Sequence, residues 1–342
     1  MLRSSVNTAA ILVFAGALAA AQGAPTPDAD MKAVLDQLAA LHPKPLETLS
    51  ADEARKQPTP ADAVKGLLKK NNKSTAPEPV GKVDDRTITG AAGQIPARIY
   101  TPVGKGPFPV LVYFHGGGWV IANPEIYDAT PRALVNLVNC IVVSVDYRRG
   151  PEQKFPAAHD DANAAYEWVV KNASSMNGDP TRIAVGGESA GGNLAVAVAM
   201  AARDRKLQAP VHVMSVYPIA GSNTDTESYR QNAMAKPLNK VMMEWFFKNY
   251  LRSDADRKDP RIDLVNANLK GLPPTTIVTA EIDPLRSEGQ QLAERLKSAG
   301  VQVDARNYDG VTHEFFGMGA VVAKAKAAEQ FVADGLKKGF GK

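Results

Sequence analysis

From residue 81 onward, apolar runs of strand length alternate with helical patterns, and this alternation limits the fold more than any other feature of the sequence. Strand candidates are 95–100, 110–115, 141–146, 183–187, 211–217, 275–280 and 301–308. The first two are bounded by Pro or Gly, which punctuate strands. The run Ile141-Val142-Val143-Ser144-Val145 is nearly continuous in β-branched residues, as a strand buried on both faces requires. Helical patterns fall between the strands, at 131–139, 158–172, 190–203, 285–299 and 320–338, and Gly300 is placed to cap the fourth of them. Strand–helix alternation over this length predicts an α/β fold, with a mostly parallel sheet covered by helices on both faces.

A chain of 342 residues has room for one such domain and a helical attachment. Residues 22–80 supply the attachment. They carry helical patterns at 31–41 and 51–68, interrupted by Pro43, Pro45, Pro58 and Pro60, and end in a linker at 71–79. A second segment, 222–259, departs from the alternation with an aromatic, Met-rich pattern that includes Met242, Met243, Trp245, Phe246, Phe247 and Tyr250. Lying outside the sheet pattern, the two segments are expected to join as a lid over a pocket. The expected organisation is a leader at 1–21, a helical cap segment and linker at 22–80, and a catalytic domain at 81–342 with an insertion at about 222–259.

The leader reading rests on Arg3, an uncharged apolar run over 8–21 and Ala19-Ala20-Ala21 before Gln22, the layout of a secretory signal peptide. The run is shorter than the roughly 20 residues that span a bilayer. An exported protein, periplasmic or secreted and without stable membrane association after cleavage, is the expectation. Cys140, the single cysteine, excludes an internal disulfide and lies in an apolar run, where a buried, inert thiol is expected. The net charge of +4 is spread along the chain with no basic stripe, so a nucleic-acid partner is not expected. No metal is expected either, since the histidines are dispersed and no H-E-x-x-H or Cys cluster is present.

The chemistry concentrates at Gly187-Glu188-Ser189-Ala190-Gly191, a G-x-S-x-G motif between a strand and a helix. A sharp strand-to-helix turn holds the serine in strained backbone geometry, and flanking side chains would strike the neighbouring strand and helix. His115-Gly116-Gly117-Gly118 follows another strand and matches the oxyanion-hole loop of lipases and esterases. His115 is read as orienting that loop. Serine needs a base to take its proton. Of the histidines at 42, 115, 159, 212 and 313, only His313 follows the last strand, at the sheet end where α/β folds build their sites. For the acid, Asp283 follows the strand at 275–280, ahead of Pro284, with Glu281 and Asp309 as competitors. The order Ser189, Asp283, His313 is the order of an α/β-hydrolase triad.

Taken together, these residues resemble the bacterial hormone-sensitive-lipase-like carboxylesterases. The resemblance runs over roughly residues 80–340. It includes the His115–Trp119 loop, Gly187-Glu188-Ser189-Ala190-Gly191-Gly192, Asp283-Pro284-Leu285, Glu288-Gly289, Ala299-Gly300-Val301 and the Tyr147-Arg148 to Pro156-Ala157 segment. It implies an α/β-hydrolase fold with an eight-stranded sheet and a helical cap built from both extra segments. It implies an oxyanion hole of the Gly117, Gly118 and Ala190 amides, with Gly116 shaping the loop. It implies a serine carboxylesterase acting on small esters of short or medium acyl chains, without a cofactor, whose copies can pair as a homodimer. A lipase, lactonase or amidase using the same triad is the alternative, and a non-catalytic ligand-binding homologue a distant one. Four positions depart from the family pattern. Glu188 replaces the commoner Asp, Glu314 stands after the histidine where Gly is usual, and Arg149-Gly150 replaces Leu-Ala. A carboxylate at 314 is expected to narrow the pocket or perturb His313.

Overall fold

The computed structural model describes residues 25–342. Eight strands form one sheet: β1 (Lys82–Gly90), β2 (Gly93–Thr101), β3 (Phe108–Phe114), β4 (Ile141–Val145), β5 (Gly178–Glu188), β6 (Val213–Val216), β7 (Thr275–Ile282) and β8 (Val303–Thr312). Their order across the sheet is β1-β2-β4-β3-β5-β6-β7-β8. β2 runs antiparallel to both its neighbours and every other pairing is parallel.

The strand β3 shows why the centre of the sheet must be buried on both faces. Phe108, Val110, Val112 and Phe114 enter the hydrophobic core on one side, and Leu111 and Tyr113 enter the core on the other. Side chains alternate across a strand, so an apolar residue at every position serves two cores at once. Each fully buried Val, Leu or Phe contributes about 1.5–3 kcal/mol.

Among the described residues, ten α-helices accompany the strands. The first three precede the sheet: α1 (Ala29–Ala40), α2 (Ala51–Ala54) and α3 (Pro60–Lys70). The rest are α4 (Ala129–Val138), α5 (Ala157–Asn172), α6 (Ala190–Asp204), α7 (Glu227–Gln231), α8 (Lys240–Tyr250), α9 (Arg286–Ser298) and α10 (Ala323–Gly339). α5, α6 and α9 cover one face of the sheet, and α4 and α10 the other. Gly300, with φ +82°, ends α9 as its left-handed cap.

The prolines and caps explain the short N-terminal helices. Ser50 with Glu53 and Thr59 with Asp62 form capping boxes, and Pro60 occupies the first turn of α3. α1 packs on α3 through Met31, Val34, Leu38, Ala63 and Leu67. It is also tied to the far end of the chain. Asp28 donates its amide to the Gly310 carbonyl at 2.8 Å, and the Asp30 carboxylate accepts from the Ala323 amide at 2.8 Å. Lys324 pairs with Asp28 at 2.6 Å.

The strand β1 was not among the segments named from the sequence. Its run Lys-Val-Asp-Asp-Arg-Thr-Ile-Thr-Gly buries only Ile88, opposite Ile95 of β2. An edge strand exposed to water carries charge in place of the apolar alternation by which strands are recognised.

Candidate active site

β5 ends at Glu188 and α6 begins at Ala190, so Ser189 alone makes the turn, with φ 56° and ψ −117°. A non-glycine residue in such geometry costs on the order of 1–3 kcal/mol. The surroundings force it: Ser189 donates its amide to the Val216 carbonyl at 2.9 Å and accepts at its own carbonyl from Asn193 at 3.1 Å. The turn is tight enough that a Cβ on Gly191 would stand 1.9 Å from the Phe114 carbonyl oxygen.

His313 is the first residue after β8, and Asp283 the first after β7. With Ser189 at the end of β5, all three stand at the C-terminal edge of the parallel strands. The imidazole Nε2 lies 3.0 Å from the Ser189 hydroxyl, and Nδ1 lies 2.7 Å from Asp283 Oδ2. Asp283 Oδ1 accepts from the Leu285 amide at 2.9 Å, which fixes the carboxylate. The three side chains are 4%, 3% and 0% exposed for Ser189, His313 and Asp283, so their hydrogen bonds compete little with water. Burial pulls the His313 pKa down, but the carboxylate of Asp283, with Glu314 and Glu188 further off, outweighs it and the net displacement is upward from 6.5.

The competing acids are engaged elsewhere. Glu281 accepts from the Gly310 amide at 2.7 Å, and Asp309 accepts from the Asn307 side chain at 2.7 Å. The other histidines are likewise accounted for. His42 is exposed at the end of α1, and His212 meets Thr276 at 2.9 Å, away from Ser189. His159, in α5, bridges the Tyr250 hydroxyl at 2.8 Å and the Asn193 amide oxygen at 2.9 Å.

His115 is fully buried, stacked on the Tyr147 ring at 4.3 Å, with Nδ1 2.8 Å from the Gly116 carbonyl. Burial, helped by the nearby Arg149 guanidinium, pushes its imidazole down to about 3, so it stays neutral and serves as an anchor of the loop. Beyond it, Gly117 and Gly118 border the same cavity as Ser189. Glu188 is buried beneath the turn, where the hydroxyls of Tyr113 and Tyr217 donate to its two oxygens. Burial pushes its carboxyl up to about 7.

Two features carried no signal in the sequence. The first is Arg55, in the N-terminal segment. Its Nε donates to the Val120 carbonyl at 2.9 Å and its Nη2 to the Gly150 carbonyl at 2.7 Å, while Glu152 accepts from both terminal nitrogens at 2.8 and 2.7 Å. Arg149 donates to the Ala122 carbonyl, and the Gly150 amide to that of Trp119 at 2.9 Å. The Arg149-Gly150 departure therefore holds the glycine loop in place together with Arg55. The second is Tyr127, whose hydroxyl lies 2.7 Å from each oxygen of Glu314. Partners 65 to 187 residues apart leave no local spacing to read.

The cavity holds about 200 Å³. Its floor includes Ser189, His313 and Glu314, and its roof comes from both segments outside the sheet pattern, with Leu38 and Leu46 from one and Met242, Met243 and Phe246 from the other. The Trp245 indole joins the two by donating to the Leu49 carbonyl at 3.1 Å. Among the described residues no group of three or more His, Cys, Asp or Glu side chains is placed to hold a metal. Cys140 is buried, and burial pushes its thiol up to about 12, consistent with an inert side chain.

Residues 111–317 match a protein family described as alpha/beta hydrolase fold. The chain is 42% identical over 243 residues to the carboxylic ester hydrolase LipN of Mycobacterium tuberculosis, which covers 69% of this chain and 65% of that protein, just under two thirds of its length. It is 40% identical over 263 residues to the carboxylesterase NlhH of the same organism, covering 74% of this chain and 82% of the relative. A hyperthermophilic esterase from Pyrobaculum calidifontis superposes with a TM-score of 0.84 at 35% identity, covering 92% of this chain and 98% of the other.

Proposed function

The chain belongs to the alpha/beta-hydrolase-fold family and is a carboxylic ester hydrolase, and from that premise we propose that Ser189 is its nucleophile, His313 its base and Asp283 the acid that orients the base. The observation that carries this reading is the unbroken pair of hydrogen bonds, 3.0 Å from Ser189 Oγ to Nε2 and 2.7 Å from Nδ1 to Asp283. His313 removes the serine proton as Oγ attacks the ester carbonyl. Asp283 fixes the tautomer and stabilises the imidazolium. Negative charge gathers on the carbonyl oxygen, which the amides of Gly117, Gly118 and Ala190 receive. Ala190 is the first residue of α6, and the amides of a first helical turn have no partner within the helix. One such donor contributes about 3–4 kcal/mol to the transition state. The imidazolium then protonates the departing alcohol, and water activated by His313 releases the acid.

The small cavity supports substrates of short to medium acyl chain, with the roof as a cap. A fluorophosphonate probe should label the wild type and not Ser189→Ala; labelling of the mutant at the same position would refute the assignment. Nitrophenyl esters of increasing chain length, with anilide controls, test the chain-length and ester preferences. Export rests on residues 1–21, which lie outside the described residues. The N-terminal mass of protein recovered from the periplasm or medium tests it.

A further inference from the structure

One charged side chain touches the proposed machinery without a part in it. Glu314 follows His313 and lies in the left-handed region, with φ +70°. Such a conformation is costly for a residue with a Cβ, and an outlier of this kind beside a site points to a use for the side chain. Its Oε1 lies 3.7 Å from His313 Nε2, the nitrogen that faces Ser189. That distance is too long for a hydrogen bond. The carboxylate is instead held by the Tyr127 hydroxyl at 2.7 Å. A single O–H cannot satisfy the roughly four acceptor positions of a carboxylate. Acceptor capacity therefore remains on a residue that lines the cavity with its side chain 22% exposed.

The rest of the cavity leaves this charge uncompensated. Arg55 is tied to Glu152 and to two carbonyls. Lys44 and Lys236 also line the cavity but are exposed, so water and salt screen them. Glu47 adds a second carboxylate to the lining, with Oε2 buried and without a hydrogen-bond partner. Burial, with Asp283 adding to it, raises the Glu314 pKa above 4.5, and His313 and the Tyr127 hydroxyl offset part of that rise.

The position of the carboxylate tells which part of a substrate it meets. In the second half of acylation, Nε2 gives its proton to the departing alkoxide, and hydrogen-bond reach is about 3 Å. Oε1 is therefore within about 7 Å of the leaving oxygen. A nitrogen two carbons beyond that oxygen is three bonds of about 1.5 Å away, so with its chain extended toward the carboxylate it comes within about 3 Å of it. We propose that the pocket selects esters of amino alcohols, with a protonated or quaternary amine two carbons from the ester oxygen, and that Glu314 is the residue that recognises the cation. The proposal rests on the assignment of Ser189 and His313 above. The reaction balances as ordinary hydrolysis: ester and water give carboxylic acid and amino alcohol, and the imidazolium proton leaves on the alcohol oxygen.

The test compares two butyrate esters of one shape, that of choline and that of 3,3-dimethylbutan-1-ol, in which carbon replaces the charged nitrogen. The readout is the ratio of their kcat/KM values within each protein, so any general loss of activity in a variant cancels. Wild type should prefer the choline ester by about tenfold or more, the effect of one charge-assisted contact in a partly wet pocket. Glu314→Gln should bring the ratio near one, and Glu314→Gly should do the same by removing the side chain. A wild-type ratio near one, or a preference retained in both variants, overturns the proposal. Turnover of the neutral ester without preference sinks the selectivity alone. Turnover of neither ester, with no fluorophosphonate label on Ser189, sinks the underlying assignment as well.

Discussion

The floor and the roof of the cavity are built on different terms. The floor is three strand ends. The triad side chains are almost fully buried, and the strained Ser189 is locked between β5 and α6. The roof is a set of short helices joined to the body by packed side chains and isolated backbone bonds, such as Asp28 to Gly310 and Phe155 to Tyr250, with no sheet ladder. Arg55 reaches the loop that follows β3, and Trp245 reaches Leu49. The roof also carries the exposed apolar side chains Met234 and Val241, which are 80% and 54% accessible. A sheet fixes positions to fractions of an ångström because many backbone bonds cooperate, whereas a few side-chain contacts leave room to change the shape above it. On the proposed assignment the reaction belongs to the sheet edge, and the helices shape the space above it.

That division is most exposed to failure at the floor. Ser189→Ala should lower kcat by on the order of 10⁵ or more, and Asp283→Asn by about 10³–10⁴, in ester turnover assays. A loss of only tenfold in either would mean that the sheet edge does not hold the chemistry. Gly191→Ala comes next. Its methyl would collide with the Phe114 carbonyl, so a destabilisation of about 3 kcal/mol or more is expected by denaturant titration. An unchanged midpoint would contradict the rigidity assigned to the turn.

The roof should respond more mildly. Arg55→Ala removes the fork that holds Val120, Gly150 and Glu152, and kcat should fall by about tenfold as the glycine loop loosens. Arg55→Lys should not restore it, since one ammonium cannot bridge the same three partners. Full activity in both would show that the floor needs no support from above. The smallest effect is on pH. His313 must be neutral to act as a base, and its pKa is displaced upward from 6.5. The acid limb of kcat/KM should therefore have its midpoint above pH 6.5. Glu314→Gln removes one of the charges that raise it, so the limb should move to lower pH; a shift in the other direction would count against the electrostatic reading of that carboxylate.

The same contrast decides what could be read from the sequence. The central strands were legible because burial on two faces demands apolar residues at consecutive positions, as in Phe108–Phe114. Ser189, Asp283 and His313 were legible as positions because each sits directly at a strand end, where local pattern and chain order suffice. β1 was illegible because water, not the core, surrounds most of it. Tyr127 and Arg55 were illegible for another reason. Their importance comes from partners remote in the chain, and nothing at a tyrosine between Ile126 and Asp128 marks it for Glu314. Glu314 itself stood out by residue type, but its distance from the imidazole depends on its left-handed backbone and on the remote Tyr127 hydroxyl that holds it.

The docking of α1 against the segment 310–324 has a consequence for how the protein comes into being. Asp30 and the Ala323 amide that it receives lie 293 residues apart. At about 5–20 residues per second, a ribosome makes the helix roughly 15–60 s before its partner exists. Twelve residues are marginal as a lone helix in water. α3 follows at once and gives α1 a first partner, but the wall they build closes on the body only when the last segment exists, so hydrolysis awaits a chain whose translation has reached both.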